Sequence, residues 1–287
     1  MSKFILNLPT QIIFLKSGYN IPLKDTGNQS LQLMIEMGDF GVSLIWTDIQ
    51  KKQIAALAVY IFEEEDNTVE QIRNIINNAA IPGKEHRGVK IFYNFKESML
   101  IPTKYYNEDL NEQMLSLLFG ENEDTIIRTD KLDKLQICNI YRLPAELDHF
   151  ITSSFPQVNY IHSSSCQILQ QFSSTEMVCI VFYNAIKVML YIDGHLYLVQ
   201  QFKFNGPEDV SYHLLNICNQ HDLQPTEIKL HISGMIVQDS ILFQHLYSYF
   251  LHIDFISMSD QIKMKDDIND LPAHFFSHLT ELATCEL

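Results

Sequence analysis

The sequence contains few of the residues that break regular structure: among its 287 residues are 10 glycines and 9 prolines. Such scarcity argues against a collagen-like, linker-rich or low-complexity chain. Long apolar runs are missing too, since none approaches the ~18 residues that a membrane-spanning helix requires. Residues 1–15 have neither an uninterrupted apolar segment nor a small-residue cleavage site, so we expect no signal peptide. The expectation is a cytoplasmic protein that does not insert into a membrane.

Basic residues are also in short supply, with 20 Lys and Arg against 35 Asp and Glu and a formal net charge of −15. Nucleic-acid binding depends on neutralising phosphates with Lys and Arg, and anionic membrane surfaces repel an acidic chain. We therefore expect neither nucleic acid nor a membrane as a partner. The 46% of hydrophobic residues suffices for a sizeable core, and the length suits one large domain or two of ordinary size.

The cysteines form no C-x-x-C pair and are odd in number. They are Cys138, Cys166, Cys179, Cys218 and Cys285. In a chain of this size, that pattern is typical of reduced core residues in a cytosolic protein.

Three apolar runs open the first half, at residues 31–37, 42–46 and 54–62, after an irregular stretch over 1–28. The turn Gly38-Asp39-Phe40-Gly41 separates the first two runs, which predicts an antiparallel meander. An acidic loop at 63–66, which we interpret as a solvated loop, precedes isoleucines at helical spacing. Helices are predicted at 68–80, 108–119 and 144–155, and strands at 89–95, 98–101, 126–127 and 135–141.

The second half repeats this order. Strands at 177–183, 186–192 and 196–204 form a meander, with Asp193-Gly194 as a hairpin turn. Pro207 then begins a helix. Strands are predicted at 227–232 and 251–257, a helix at 239–250, and a closing helix from Pro272 after an acidic linker at 260–270. Alternation along these strands leaves some of Tyr191, Tyr197 and Phe202 on the outside, where a contiguous exposed patch would indicate a protein partner.

An α/β domain usually alternates helix and strand from its first strand, so a meander that opens each half is informative. It is the ribonuclease H-like order, used twice. We therefore predict an α/β protein with two βββαβαβ-type halves, residues 1–150 and 151–287, that face a cleft.

Three segments carry a resemblance to a known family. They are Met37-Gly38-Asp39-Phe40-Gly41-Val42-Ser43, Tyr191-Ile192-Asp193-Gly194-His195-Leu196-Tyr197-Leu198 and Gly206-Pro207-Glu208-Asp209-Val210-Ser211-Tyr212-His213-Leu214-Leu215-Asn216. The chain resembles, over about residues 25–260, an uncharacterised bacterial family with an actin-like ATPase fold and no established activity. It is also similar to the cytoplasmic actin-like modules of pilus and type II secretion assembly, some of which serve as scaffolds.

The resemblance implies a nucleotide site between the halves, where a hairpin from each half presents Asp and Gly to phosphate and Mg²⁺, and a glycine pair makes room for adenosine. The first hairpin matches in part, through Asp39, Gly41 and Ser43. The second, residues 182–185, has neither carboxylate nor glycine, and of the glycine pair only Gly234 is present.

Two hypotheses follow. The first is a non-catalytic scaffold or regulatory module without cofactor or metal, in which the glycines merely shape tight turns, and whose protein partner and oligomeric state the sequence does not identify. The alternative is a divergent ATPase or kinase that binds Mg-ATP through Asp39, Gly41, Ser43 and Gly234.

Other residues suggest further chemistries. His162 lies next to serines and four residues before Cys166, which suggests a hydrolase, but such a run also suits the start of a helix with a serine as N-cap. His274 and His278 share a helical face, as metal ligands do, or belong to an exposed polar face. A ribonuclease H-like nuclease would need Glu36, Asp39 and Asp48 to converge on two metals. We expect no such convergence, because Asp48 follows the second strand at its far end.

Overall fold

The computed structural model describes residues 31–62, 67–79, 88–156, 158–258, 262–263 and 272–285, and the backbone alone of 15–21 and 264. The predicted acidic loop at 63–66, residues 25–28 of the irregular stretch and most of the linker at 260–270 lie outside these residues.

The described strands, in chain order, are β1 (Leu15–Ile21), β2 (Leu31–Gly38), β3 (Gly41–Asp48), β4 (Gln53–Phe62), β5 (Val89–Asn94), β6 (Ser98–Pro102), β7 (Thr125–Leu132), β8 (Ile137–Pro144), β9 (Tyr160–His162), β10 (Glu176–Val181), β11 (Ala185–Ile192), β12 (His195–Lys203), β13 (Lys229–Gly234), β14 (His252–Phe255) and β15 (Lys263–Met264). The described α-helices are α1 (Thr68–Asn78), α2 (Asn111–Phe119), α3 (Ala145–Ser154), α4 (Ser163–Gln167), α5 (Pro207–Gln220), α6 (Ile241–Tyr247) and α7 (Ser277–Thr284).

The first sheet has the order β1-β4-β3-β2-β5-β9, with β15 beside β4. Strands β2, β3 and β4 form the predicted antiparallel meander, and β5 and β9 add in parallel. Strand β1 pairs antiparallel with β4, so the prediction of irregular structure over 1–28 is wrong for Leu15–Ile21. That run has no clear apolar alternation, and its strand conformation depends on pairing with β4.

Alternation along β2 sends successive side chains to opposite faces of this sheet. Leu33, Ile35 and Met37 pack with α1 and α3 on one face. Met34 faces the other side and packs in the cluster of α7. Both faces are therefore covered, which explains why β2 is apolar nearly throughout rather than alternating with polar residues.

The second sheet has the order β12-β11-β10-β13-β14. Its antiparallel meander and two parallel strands repeat the arrangement of β4-β3-β2-β5-β9. Helices α5 and α6 pack on one face through residues that include Val210, Leu214 and Leu246. The predicted duplication of a meander followed by parallel strands is therefore present in the structure.

A third sheet, β6-β8-β7, is inserted between β5 and β9 and carries α2. Its strands were predicted from the sequence, but their separation into a sheet of their own was not. Leu100 and Leu132 of this insertion pack against the face of the second sheet opposite α5. The insertion therefore lies close to both halves.

Candidate functional site between the two halves

The hairpin of the first half is held by close backbone approach. Gly38 ends β2, and a Cβ placed on it would lie 2.0 Å from the carbonyl oxygen of Asn94 on β5. Asp39 follows in the turn, where one carboxylate oxygen accepts a hydrogen bond from the backbone N–H of Lys96 at 2.7 Å. Gly38 therefore lets β2 and β5 meet, and Asp39 anchors the segment after β5.

The hairpin of the second half presents aromatic rings. Phe182 donates its backbone N–H to the carbonyl oxygen of Ala185 at 2.8 Å, which closes a tight turn between β10 and β11. Its ring stacks on Phe40 of the first hairpin, with centroids 6.4 Å apart, and meets the ring of His278 edge-on at 5.7 Å. The two hairpins therefore contact each other through apolar rings.

A cavity of about 40 Å³ remains beside these rings. Gly41 and Ser43 line it, together with Glu36, Tyr183 and Met235. Small-molecule sites typically enclose roughly 300–1,000 Å³, so the cavity has room for a few water molecules and not for a nucleotide. As arranged here, the cleft residues do not fit Mg-ATP.

Gly234 ends β13 at a point of close contact with β10. A Cβ on it would lie 2.1 Å from the carbonyl oxygen of Val181, and its φ is +89°. The next residue, Met235, donates its N–H to that same oxygen at 2.7 Å. Of the four residues predicted to bind nucleotide, Gly41 and Ser43 share one cavity, while Asp39 and Gly234 hold backbone segments nearby.

Replacing Gly234 by alanine is expected to lower the free energy of unfolding by about 2–4 kcal/mol, because the new methyl group meets a backbone oxygen and the backbone has a left-handed φ. Gly120→Ala is the matched control: its φ is +87°, but no atom lies within 4 Å of the added Cβ. The control carries backbone strain alone, at φ +87° and ψ +169°, which costs about 1–3 kcal/mol, and it should therefore lose less stability than Gly234→Ala. Urea unfolding measures both, and equal losses would contradict the close-approach role.

Behind the cavity lies a buried charged group on each half. Lys187 of β11 is fully buried and donates hydrogen bonds of 2.9 Å to Oγ of Ser163 and Oε1 of Gln167. Glu36 of β2 is also buried, and its carboxylate hydrogen-bonds to Ser163. The Ser163 hydroxyl thus connects the cation of one half to the carboxylate of the other.

Burial changes the proton affinity of both groups. Desolvation lowers the pKa of Lys187 to about 8, an effect that the negative charge of Glu36 opposes. Desolvation likewise raises the pKa of Glu36, opposed by Lys187 and the Ser163 hydrogen bond. Glu36 Oε1 has no hydrogen-bond partner among the described residues, so this carboxylate depends on Lys187 for much of its compensation.

Helix α4 supplies the polar groups between the halves. His162 caps it by accepting the N–H of Ser164 at Nδ1, and its other ring nitrogen lies 2.9 Å from the carbonyl oxygen of Phe95. Nδ1 is therefore the unprotonated nitrogen, and burial lowers the pKa of His162 to about 3. The helix predicted here is confirmed, but the prediction of a serine N-cap is wrong, because the His162 side chain performs that function.

The predicted base and nucleophile do not form a catalytic pair. His162 is fully buried with both nitrogens in structural hydrogen bonds, and Cys166 is joined to Cys285 in a disulfide. Ser165 is also buried, where it donates to Asp130 at 2.6 Å and accepts from Asn139 at 2.9 Å. These contacts fix α4 against the inserted sheet.

His274 and His278 do not lie on an exposed face. His278 is buried with Nδ1 3.2 Å from Oγ of Ser233, and burial lowers its pKa to about 3. His274 is partly buried and bonds to the carbonyl oxygen of Ile236. The prediction of an exposed polar face is therefore wrong, because His278 of α7 packs against β13 and His274, in the 3-10 turn Ala273–Phe275 before α7, bonds to the segment after β13. Among the described residues, no group of three His, Cys, Asp or Glu side chains is placed to hold a metal ion.

The carboxylates of the nuclease hypothesis do not converge. Glu36 is in the interior, Asp39 binds the N–H of Lys96, and Asp48 accepts the backbone N–H groups of Gln50 and Lys51 at the opposite end of β3. As expected, the three carboxylates do not meet in one site.

The disulfide Cys166–Cys285 overturns part of the cysteine prediction. Its Sγ atoms are 1.97 Å apart, whereas Cys138, Cys179 and Cys218 are free and buried as expected. The bond joins α4 to the end of α7, where Lys90 also donates to the carbonyl oxygens of Ala283 and Cys285. Spacing gives no sign of this pair, because the two residues are 119 positions apart.

Cys285→Ala is expected to lower the free energy of unfolding of the oxidised protein by about 2–4 kcal/mol, since the bond restricts the unfolded chain. Chemical denaturation with and without dithiothreitol measures the effect. In dithiothreitol the wild type should fall to the level of the variant. A wild type that is insensitive to the reductant would contradict the prediction.

Two halves with the same meander-plus-parallel-strand order, facing a cleft, define a protein of the actin-like ATPase fold, as predicted. The structure is similar to a protein of actin-like ATPase fold and unknown function from Bacteroides thetaiotaomicron, with 18% identity, a TM-score of 0.71 and coverage of 90% of this chain and 97% of that one. It is also similar to a chain of the PilM–PilN type IV pilus biogenesis complex, with 8% identity, a TM-score of 0.56 and coverage of 88% and 97%.

A third similar structure is the cytoplasmic domain of EpsL, an inner membrane component of the type II secretion system of Vibrio cholerae, with 9% identity, a TM-score of 0.48 and coverage of 90% and 97%. The chain belongs to the DUF3822 family of proteins of unknown function, whose profile matches residues 23–253. No curated protein matches the sequence. No described helix has the length and hydropathy needed to cross a membrane.

Proposed function

We propose that this protein is a non-catalytic actin-like module that acts as a protein-interaction scaffold or regulatory subunit. The observation that carries the proposal is the contact between Phe40 and Phe182, which brings the two hairpins together where the fold class holds phosphates. Only about 40 Å³ remains beside the rings. Admitting a nucleotide would require these rings to separate and expose apolar surface.

The polar layer behind the rings supports the same proposal. Glu36, Ser163 and Lys187 link the two halves in the interior. Movement of the halves apart, as nucleotide entry requires, would break the hydrogen bonds that Ser163 makes to both charged groups. A closed cleft suits a module that presents outer surfaces to other proteins.

A similar solved structure points the same way. A chain of the PilM–PilN complex, which belongs to type IV pilus biogenesis, shares the fold. The fold therefore serves in at least one protein assembly, and we extend that role, without the partner's identity, to this chain.

The alternative remains a divergent ATPase or kinase. One observation favours it: Gly41 and Ser43 line the remaining cavity together with the buried carboxylate of Glu36. In that case Asp39 would release the Lys96 amide and turn toward the ligand.

Mg-ATP binding separates the two functions. If the cleft binds ATP, a ligand concentration of about 100 times Kd would raise the free energy of unfolding by about 2.7 kcal/mol. For a chain of this size that corresponds to a rise in Tm of roughly 5–10 °C. We expect no such shift at millimolar Mg-ATP, and no heat of binding in calorimetry, relative to matched buffer with MgCl2 and phosphate.

Asp39→Ala and Asp193→Ala provide the matched pair, since both remove an aspartate from a hairpin turn and only the first lies beside the cleft. ATP-dependent stabilisation of the wild type that disappears in Asp39→Ala and persists in Asp193→Ala would establish the alternative.

A cytoplasmic location is part of the proposal, and the Cys166–Cys285 bond provides its test, because the cytosol keeps most thiols reduced. When freshly lysed cells are treated with an alkylating reagent, mass spectrometry should find the alkyl group on both Cys166 and Cys285, because both thiols are reduced in the cytosol. The division into halves 1–150 and 151–287 also stays a prediction, which limited proteolysis tests.

A further inference from the structure

A groove of about 590 Å³ runs between the inserted sheet and the second half, far larger than the cavity in the cleft. Strand β6 forms one wall and residues 196–202 of β12 form the other, with Leu118 and Phe119 of α2 at the rim. Its volume falls in the range of ligand sites, roughly 300–1,000 Å³. Apart from Lys96, its lining side chains carry no charge, and most are apolar.

Both walls are sheet edges. In the described part of the chain, β6 is hydrogen-bonded to β8 alone and β12 to β11 alone, so each strand has one side unpaired. Natural edges are usually protected by charge, proline or a bulge. Residues 196–202 of β12, Leu-Tyr-Leu-Val-Gln-Gln-Phe, contain neither charge nor proline. The register shift in the pairing with β11 falls at Tyr197, which leaves 198–202 as a regular edge. Such an edge is a template for another strand.

The groove selects the form of its occupant. The edge of β12 shares the groove with β6 and the end of α2. A single extended segment paired with β12 would therefore lie beside both walls, which favours a segment over a second folded copy. About seven residues span residues 196–202, at roughly 3.3 Å per residue.

The charge of the surroundings selects its composition. Helix α2 presents Leu118, exposed to 57%, at the groove and then leads into the exposed acidic residues Glu121, Glu123 and Asp124. An apolar stretch flanked by basic residues complements both features, as it does the overall charge of −15.

We propose that this groove binds an extended segment of a partner protein, apolar over about seven residues and basic at one end, which adds a strand to β12. The proposal rests on the scaffold function above and gives it a surface. Tyr197, exposed to 58%, and the half-buried Phe202 contribute to this surface, whereas Tyr191 is buried.

The first probe is a phage-displayed library of random peptides about twelve residues long, a length that spans the groove. The second probe is a set of fluorescein-labelled copies of the peptides that the protein enriches. Enriched sequences should alternate apolar residues and carry Lys or Arg at one end. Leu118→Lys and Tyr197→Lys should each weaken binding in fluorescence anisotropy by about tenfold or more, since each places a charge in the groove.

Neighbouring residues supply the controls. Leu117→Lys changes the adjacent, more exposed leucine, which does not line the groove, and should bind within about twofold of the wild type. Tyr212→Lys on α5 is the control for Tyr197. Circular dichroism verifies the fold of each variant.

The proposal would be overturned if no peptide is enriched from the library. It would also be overturned if Leu118→Lys and Leu117→Lys weaken peptide binding equally. A wild-type dimer in sedimentation analysis that Leu118→Lys dissociates would also overturn it, in favour of a second copy as occupant. Mg-ATP binding with peptide binding intact would refute the non-catalytic function and leave this groove standing.

Discussion

Lys187→Met is expected to lower the free energy of unfolding by about 3–5 kcal/mol, because it leaves the Glu36 carboxylate buried without a compensating cation. Lys187 is fully buried, and its ammonium reaches Glu36 through Ser163. The pKa of Glu36 is already raised by burial, and loss of the Lys187 charge, which opposes that shift, should raise it further. Urea unfolding followed by circular dichroism measures the loss.

A double-mutant cycle identifies the cause. Glu36→Gln removes the charge that Lys187 compensates, so Lys187→Met combined with Glu36→Gln should lose less stability than the two single losses added together. Lys134→Met, at an exposed position of the turn between β7 and β8, is the matched control and should stay within about 0.5 kcal/mol of the wild type. Strictly additive losses would show that the two charges do not compensate each other.

Acidification is expected to destabilise the protein through its two buried histidines, and His278→Asn should remove part of that sensitivity. Burial lowers the pKa of His278 to about 3 from 6.5, and the positive charge of Lys187 acts in the same direction. Between these values the unfolded chain binds a proton that the folded state does not. Stability is therefore fully present above pH 6.5 and is lost as the pH falls toward 3.

One such proton changes the free energy of unfolding by up to about 1.4 kcal/mol per pH unit. The slope between pH 6 and 4 should be smaller in His278→Asn than in the wild type by up to that amount. The comparison of slopes is required because His162 acts in the same direction. Glu281 acts in the opposite direction, because burial raises its pKa to about 7. Its contribution to the free energy of unfolding is lost as the pH rises from 4.5 through 7.

His149→Asn, on the exposed side of α3, is the control for this experiment. Equal slopes in wild type and His278→Asn would mean that the folded protein takes up the proton at His278, which requires a water-filled path to the buried ring.

The sequence was informative where local pattern and fold agree. The glycine turn between β2 and β3 and the Asp193-Gly194 turn predicted the hairpins, because two apolar runs around a tight turn have one favourable arrangement. Pro207 marked the start of α5 for a comparable local reason. Together these signals predicted the duplicated order of elements that the structure confirms.

The interior polar layer had a signal that the sequence alone did not resolve. Lys187 stands within the apolar strand segment Ala-Ile-Lys-Val-Met-Leu, and Glu36 stands between Ile35 and Met37 of β2. A charged residue is unusual in a buried strand. An isolated charge in a strand also suits a solvent-facing position. Only the packing of α4 and α7 across the sheets places both charges in the interior.

By itself the sequence determined the order of strands and helices, the repetition of that order and the acidic surface, because each depends on composition or on neighbours within a few positions. The tertiary structure decided which edges stay unpaired around the β6–β12 groove, which cysteines bond, and how the two hairpins close on each other. Those features join residues that are tens to more than a hundred positions apart, and their contact energies arise only once both halves are folded.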